Sequence, residues 1–359
     1  MTARLRLGID VGGTKTAAAM VTEDGTLRAI RSAPSGRGPG GVVDVAVRLA
    51  SEVLREVGVD VGGGAVGGDG AALGVAVGVA VGACMPGLVD PATGLVRHAV
   101  NLEVDSLDLG GELTARLGVP VAVENDVKAA ALGAWRLRST GSSDSVPTAL
   151  AYLNLGTGLA SAVVRDGVVV RGIDGAAGEI GHLPVGGDAP CTCGQVGCLE
   201  TIASGSALAR LWPESRRLAR DPFAAAAAGD IVAAAAVDVL CTGVGLAVQV
   251  LALASGAEQV VIGGGLAALG RPLLDGARAD LRRRARSAQL LDALGLPDRV
   301  ELLPADLPVA ALGAAWLGTV SHPAVRAAPP VAAGAWPGDG PDGIRGQRDG
   351  ATARGGKVG

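Results

Sequence analysis

Apolar residues along this chain fall into short runs bounded by glycine and by Asp-Gly pairs, alternating with longer stretches in which they recur every third or fourth position. The short runs read as buried strands and the longer stretches as helices packed on them. Residues 5–11 carry Asp10 near their end and run into Gly12-Gly13-Thr14-Lys15; residues 16–21 follow, then Glu23-Asp24-Gly25-Thr26, then residues 27–30. That order predicts strand, glycine turn, strand, Asp-Gly hairpin, strand. Residues 38–41 read as a loop before a helix over 42–57, residues 61–70 as a glycine-rich connection, and residues 73–81 as a buried strand. Turns at Pro86-Gly87 and Asp90-Pro91 precede a helix over 109–117. A strand over 119–123 then delivers Glu124-Asn125-Asp126 to a helix over 127–137, and residues 140–147 form a polar loop.

Beyond that loop the opening pattern returns. Residues 149–155, Gly156-Thr157-Gly158, residues 159–164, Arg165-Asp166-Gly167 and residues 168–170 repeat strand, glycine turn, strand, Asp-Gly hairpin, strand, which reads as an internal duplication. The second copy continues with a helix over 204–211, an Arg- and Ala-rich connection over 216–228, and one or two core helices over 231–253 in which Gly243 and Gly245 allow close packing. A strand over 259–262 ends at Gly263-Gly264-Gly265, followed by a helix over 272–290, a short run at Leu302-Leu303 and an Ala-rich helix over 309–317. The fold class that follows is α/β, with two duplicated α/β domains facing each other across a cleft. Residues 1–122 together with a C-terminal helix over 308–320 form the smaller domain, residues 123–307 the larger, and residues 323–359, rich in Pro, Gly, Ala and Arg without periodicity, a disordered tail.

Composition narrows the function. With 58 Gly among 359 residues, 2% aromatics and 18% charged residues, the core is built from Ala, Val and Leu with backbones in close approach. A net charge of -4 without a basic patch argues against a nucleic-acid footprint. No hydrophobic signal segment precedes the first strand, and apolar stretches such as residues 73–85 are interrupted by glycine, so neither secretion nor membrane insertion is expected and the cytoplasm is the expected location.

Three glycine turns carry candidate chemistry. Consecutive backbone amides at Gly12-Gly13-Thr14 and at Gly156-Thr157-Gly158 can converge on phosphate, and Asp10 at a strand end can hold Mg2+ or its water. Two such turns on opposite walls of a cleft suit a nucleoside triphosphate, with Gly263 to Gly265 lying along the nucleotide. Asp126 stands where a strand gives way to a helix, a position that serves either as a helix cap or as the place where an α/β enzyme puts its chemistry. Separately, His182, Cys191, Cys193 and Cys198 gather four soft ligands in a loop without periodicity. That donor set suits a closed tetrahedral zinc site with no open coordination position, hence a structural one.

The stretches LGIDVGGTKT, VAVGACMPGLVDPATG, VAVENDVKAAALGAW, LNLGTGLASAVVRDGVVVRGIDGAAGEIGH, CTCGQVGCLE and VVIGGG together resemble the ROK family of bacterial sugar kinases and related repressors. The resemblance runs from about residue 5 to residue 317. It implies an actin-like ATPase, ribonuclease-H-like fold and use of ATP with Mg2+. In this family Asp126 would be the catalytic base toward a sugar hydroxyl, with Asn125, Glu179, His182 and Glu200 as sugar ligands. His182 would serve both zinc and sugar. Gly12, Gly13 and Thr14 with Lys15, and Gly156, Thr157 and Gly158, would be the phosphate turns, and Gly263, Gly264 and Gly265 would border the adenosine. The implied activity is phosphorylation of a hexose at its 6-hydroxyl, glucose first, with an amino-sugar kinase for glucosamine, kanosamine or N-acetylmannosamine next. A homodimer is implied as well. Family repressors usually carry a winged helix-turn-helix ahead of this portion, and here the first strand begins near Leu5; a non-catalytic sugar-binding protein is the remaining alternative. Several positions depart from the usual pattern: Lys128 replaces Asn, Ala134-Trp135 stands where Glu is usual, and Leu159-Ala160-Ser161 replaces further glycines. The loop before Cys191 is one residue shorter, and Leu199 replaces a frequent Trp beside the sugar pocket.

Overall fold

A computed structural model of the chain describes residues 5–59, 79–140, 146–173, 175–214, 221–304 and 306–318. The glycine-rich connection at 61–70, the beginning of the strand expected from residue 73 and the tail at 323–359 lie outside the described residues.

Two five-stranded sheets of the same topology organise the molecule. The first contains β1 (Leu5–Val11), β2 (Lys15–Thr22), β3 (Leu27–Pro34), β4 (Val79–Met85) and β8 (Val121–Asn125), in the order β3-β2-β1-β4-β8. The second contains β9 (Ala149–Leu155), β10 (Leu159–Arg165), β11 (Val168–Val170), β12 (Gln259–Gly263) and β13 (Val300–Leu302), in the order β11-β10-β9-β12-β13. In each, an antiparallel three-stranded meander is extended by two parallel strands. The duplication read from the sequence is therefore a duplication of topology. A small antiparallel sheet of β5 (Leu88–Asp90), β6 (Leu95–Ala99) and β7 (Val104–Asp108) adds to the first lobe.

Nine α-helices cover these sheets among the described residues: α1 (Gly38–Glu56), α2 (Leu109–Leu117), α3 (Asp126–Thr140), α4 (Gly205–Leu211), α5 (Pro222–Ala227), α6 (Ile231–Ser255), α7 (Arg271–Ala285), α8 (Gln289–Leu294) and α9 (Val309–Leu317). In α1 the buried residues Val42, Val43, Ala46, Val47, Ala50, Val53 and Leu54 form one stripe at helical spacing, which packs in the first lobe's core. The stripe Ala233, Ala236, Leu240, Val244, Ala247, Val248 and Leu251 does the same for α6 in the second lobe. By length and composition α6 could cross a membrane, but half of its most apolar stretch is buried inside the protein. Gly243 and Gly245 admit the close contacts expected of them: a Cβ on Gly245 would stand 2.2 Å from Asp280 Oδ2.

Helices α3 and α9 join the lobes. Helix α9 lies on β1 and β4, α3 lies on β9 and β10, and the two pack against each other. Glycine makes this possible, since a Cβ on Gly8 would stand 1.8 Å from the Ala311 carbonyl oxygen, and one on Gly133 would stand 2.2 Å from that of Val309.

Several boundaries differ from the sequence reading. The division at residue 122 falls inside β8, all five residues of which pair with β4, so the first sheet runs to Asn125. Residues 38–41 belong to α1, because Pro39 occupies its first turn, where a missing N–H costs nothing. The connection at 216–228 contains α5, capped by Asp221. The helix expected over 272–290 ends at Ala285 and resumes as α8; just after its end, the Ser287 hydroxyl donates to the Arg284 carbonyl, an alternative to continued helical bonding.

Candidate active site

The first glycine turn closes through the Gly12 amide, which donates to the Lys15 carbonyl at 3.1 Å. Ser35, just past β3, braces it: its amide donates to the Thr14 carbonyl at 3.0 Å and its hydroxyl to the Gly12 carbonyl at 2.6 Å. The second turn closes in the same way, Gly156 amide to Gly158 carbonyl at 3.0 Å, and is braced by the amides of Gly205 and Ser206 on the carbonyls of Gly156 and Thr157. Glu200 Oε2 accepts from the Leu159 amide at 2.8 Å. A Cβ on Gly158 would stand 2.3 Å from that oxygen, so the carboxylate can rest on the turn only because glycine is there.

Between the lobes lies a cavity of ≈ 350 Å³ lined by Asp10 and Gly12 from the first lobe, Asp126 and Ala130 from α3, Tyr152 and Asn154 from β9, Gly263 to Gly265 after β12, and residues at the start of α9. Asp10, Gly12, Asp126 and the triple glycine, far apart in sequence, are thus brought to one space. Asn154 occupies in β9 the place that Asp10 occupies in β1, two residues before the first glycine of its turn. The duplication aligns Asn154 with Asp10 but gave it no role; Tyr152 carried no signal.

The two carboxylates in this cavity are strained electrostatically. Burial raises the Asp10 pKa from 3.8 to about 7, and the charge of Asp126 adds to the rise; the Cys84 thiol, donating to Asp10 Oδ1 at 3.6 Å, and Lys15 oppose it. Burial also raises Asp126, helped by Glu179 and opposed by the Val127 amide and Lys128. A carboxylate raised in this way is a stronger proton acceptor. Asp10 offers the carboxylate oxygens that a divalent cation takes, and a cation there would relieve its repulsion with Asp126.

Asn125 and Asp126 both meet the first turn of α3: Asp126 Oδ1 accepts from the Val127 amide at 2.9 Å. Asn125 supplies the cap of α3: its Oδ1 accepts from the amides of Val127 at 3.0 Å and Lys128 at 3.2 Å, while its Nδ2 donates to the Gly87 carbonyl at 3.3 Å. Asp126, the first residue of the helix, lines the cavity. Gly13, Thr14, Lys15, Gly156, Thr157, Gly158, Glu179, His182 and Glu200 do not line it. Glu179 is connected to it electrostatically through Asp126, and Glu200 through its seat on the second turn. Leu199 is fully buried in the second lobe's core.

His182, Cys191, Cys193 and Cys198 converge, with all four donor atoms within 4.8 Å of one another. His182 Nδ1 lies 3.6 Å from Cys191 Sγ, and Cys193 Sγ lies 3.7 Å from Cys198 Sγ. Zinc bonded to thiolates at about 2.3 Å has tetrahedral sulfur–sulfur edges of about 3.8 Å, so the residues fit the ion. Nδ1 is the nitrogen that faces the thiols, which leaves Nε2 for another partner. Backbone bonds from Val185 to Gly197 and from Cys191 to Gln195 draw the loop into two short bridges. Cys191 Sγ approaches Glu200 Oε1 at 3.9 Å, linking this cluster to the second glycine turn.

Two sheets of one topology, meeting over a cleft lined by carboxylates and glycine turns, define an α/β protein of the actin-like, ribonuclease-H-like class. Residues 71–317 match the ROK family. The sequence is similar to a glucokinase of Halalkalibacterium halodurans, 32% identical over 294 residues, covering 76% of this chain and 84% of that protein. It is also similar to an N-acetylmannosamine kinase of Citrobacter koseri, 31% identical and covering 72% and 82%. Among solved structures, a ROK family glucokinase from Streptomyces griseus in complex with glucose and AMPPNP aligns with a TM-score of 0.64 at 27% identity, covering 87% of this chain and 98% of that one. The chain belongs to the ROK family.

Proposed function

We propose that this protein is an ATP-dependent sugar kinase that transfers the γ-phosphoryl group of ATP to the 6-hydroxyl of a hexose, glucose first. The observation that carries the reading is the position of Asp126, lining the inter-lobe cavity beside Asp10 and the triple-glycine turn with its pKa raised by burial. In this reading Asp126 accepts the proton of the sugar hydroxyl as that oxygen bonds to the γ-phosphorus and the bond to ADP breaks. Magnesium, when bound, neutralises phosphate charge, and Asp10 is the residue that would hold it or its water. The tips of the two glycine turns hold phosphates, Gly263 to Gly265 border the adenosine, and Glu179, His182 and Glu200 orient the sugar. Asn125 acts on the sugar mainly by fixing the strand-to-helix junction, since its side chain is already bonded at both ends. His182 and the three cysteines would hold zinc, which when bound would keep that side of the site rigid. A homodimer in the cytoplasm, with sugar and nucleotide as its small-molecule partners, completes the proposal.

Similarity to the N-acetylmannosamine kinase supports a second reading, an amino sugar as acceptor. ADP release measured over a panel of hexoses and amino sugars separates the two by which sugar gives the highest kcat/KM. Inactivity on every sugar would defeat both. Asp126→Asn is expected to lower kcat by about a thousandfold, in the range for loss of a general base, with the circular-dichroism spectrum unchanged. Turnover within tenfold of the unaltered protein would remove Asp126 as the base.

A further inference from the structure

Glu124 and Arg171 form an ion pair between the lobes that the roles assigned above do not use. Glu124 is the penultimate residue of β8 in the first sheet and is 1% exposed; Arg171 follows β11 in the second. Arg171 Nε donates to Glu124 Oε2 at 2.7 Å. The other carboxylate oxygen, Oε1, accepts from the Asn125 amide at 2.9 Å, so one side chain grips both the partner lobe and the backbone that leads into Asp126. On its own side, the Arg171 carbonyl accepts from the Ala177 amide at 3.1 Å, and the Glu179 amide donates to the Ala176 carbonyl at 3.2 Å. The pair therefore ties the Asn125–Asp126 junction to the segment that presents Glu179.

A buried carboxylate paired with arginine contributes little net stability compared with an apolar pair of similar volume. What it supplies is a defined distance and direction between two backbones. We propose that Glu124 and Arg171 are positioning residues that set Asp126 and Glu179 in mutual register, and so govern where the sugar sits, without acting on the nucleotide. The proposal rests on the sugar-kinase reading.

Steady-state kinetics of Arg171→Met, with sugar and ATP varied in turn and rates normalised to folded protein, test it. The expected result is a sugar KM raised about tenfold and a kcat lowered about tenfold or more, the scale of loss from a misplaced reacting group, with the ATP KM within about twofold. Arg171→Lys, which keeps a cation opposite Glu124, is expected to recover part of both losses, which a role in folding alone does not predict. Should Arg171→Met fail to fold, Glu124→Gln carries the same comparison, because it removes the charge and keeps the shape. Sugar KM and kcat both within about twofold of the unaltered protein would overturn the proposal and leave the kinase reading standing. An ATP KM that rises as far as the sugar KM would overturn it too. If the unaltered protein phosphorylates no sugar, the kinase reading falls and this proposal with it.

Discussion

Asp10 shows how much a single residue's surroundings decide. Its side chain lines the cavity, and burial together with the second carboxylate at Asp126 holds its pKa up at about 7. Folded, the group binds its proton more tightly than the unfolded chain does at 3.8. Between those values the folded state carries more protons, so the contribution of Asp10 to stability is complete below pH 3.8 and is lost as the pH rises through about 7. In metal-free protein, Asp10→Asn is expected to melt higher than the unaltered protein at pH 8, with the difference shrinking as the pH is lowered toward 4. Equal melting temperatures across that range would show that Asp10 is not raised. The residue pair Asn125–Asp126 teaches a related lesson. Asn and Asp both cap helices well, and composition alone does not distinguish them; register does, because Asn125 ends the strand and Asp126 begins the helix.

At the scale of elements, the contact between α3 and α9 and the cysteine loop each carry a prediction. Helices whose backbones approach at glycine leave no room for a methyl group: on Gly133 it would meet the Val309 carbonyl and the Gly313 amide, at 2.2 and 2.9 Å. Gly133→Ala is expected to cost about 1–3 kcal/mol in urea unfolding, the usual cost of overpacking, and to lower kcat because α3 carries Asp126. A neutral effect on both would mean that the helices can separate freely. The loop from His182 to Cys198 has little apolar content to hold it, and its donor atoms are already spaced for a tetrahedral ion. Metal analysis of purified protein is expected to find about one zinc per chain, and Cys198→Ser to lose it. Because His182 and Glu200 flank that loop, the substitution should raise the sugar KM more than the ATP KM. Folded, active protein without zinc would refute the assignment.

Among the described residues, two sheets of one topology face a cleft, and phosphoryl transfer there would need both to approach the same substrates. Asp10 and Asp126 belong to different elements, and the second glycine turn, with Glu200 on it, lies in the other lobe. Phosphoryl transfer requires the acceptor and donor to be held in line with water excluded, which favours closure once both ligands are present. Small-angle scattering is expected to show a smaller radius of gyration with sugar and a nonhydrolysable ATP analogue together than with neither. An unchanged radius would indicate a cleft already closed.

The duplication, the order of the elements, the three glycine turns and the gathering of His182 with Cys191, Cys193 and Cys198 are legible along the chain, because each rests on short-range pattern: alternation, turn chemistry and the spacing of donors. Boundaries were less legible where a local signal had two meanings, as with the glycine and proline at residues 38–41, or where pairing with a distant strand extended an element, as at β8. Other features needed the folded molecule. Which of two adjacent polar residues lines the cavity follows from strand register. The Glu124–Arg171 pair joins residues from separate sheets. The closeness of Asp10 to Asp126 and the burial of Leu199 depend on how the sheets and helices pack. Local pattern records what each segment can form; which charges meet, and how strongly they are desolvated, is set by segments distant in sequence.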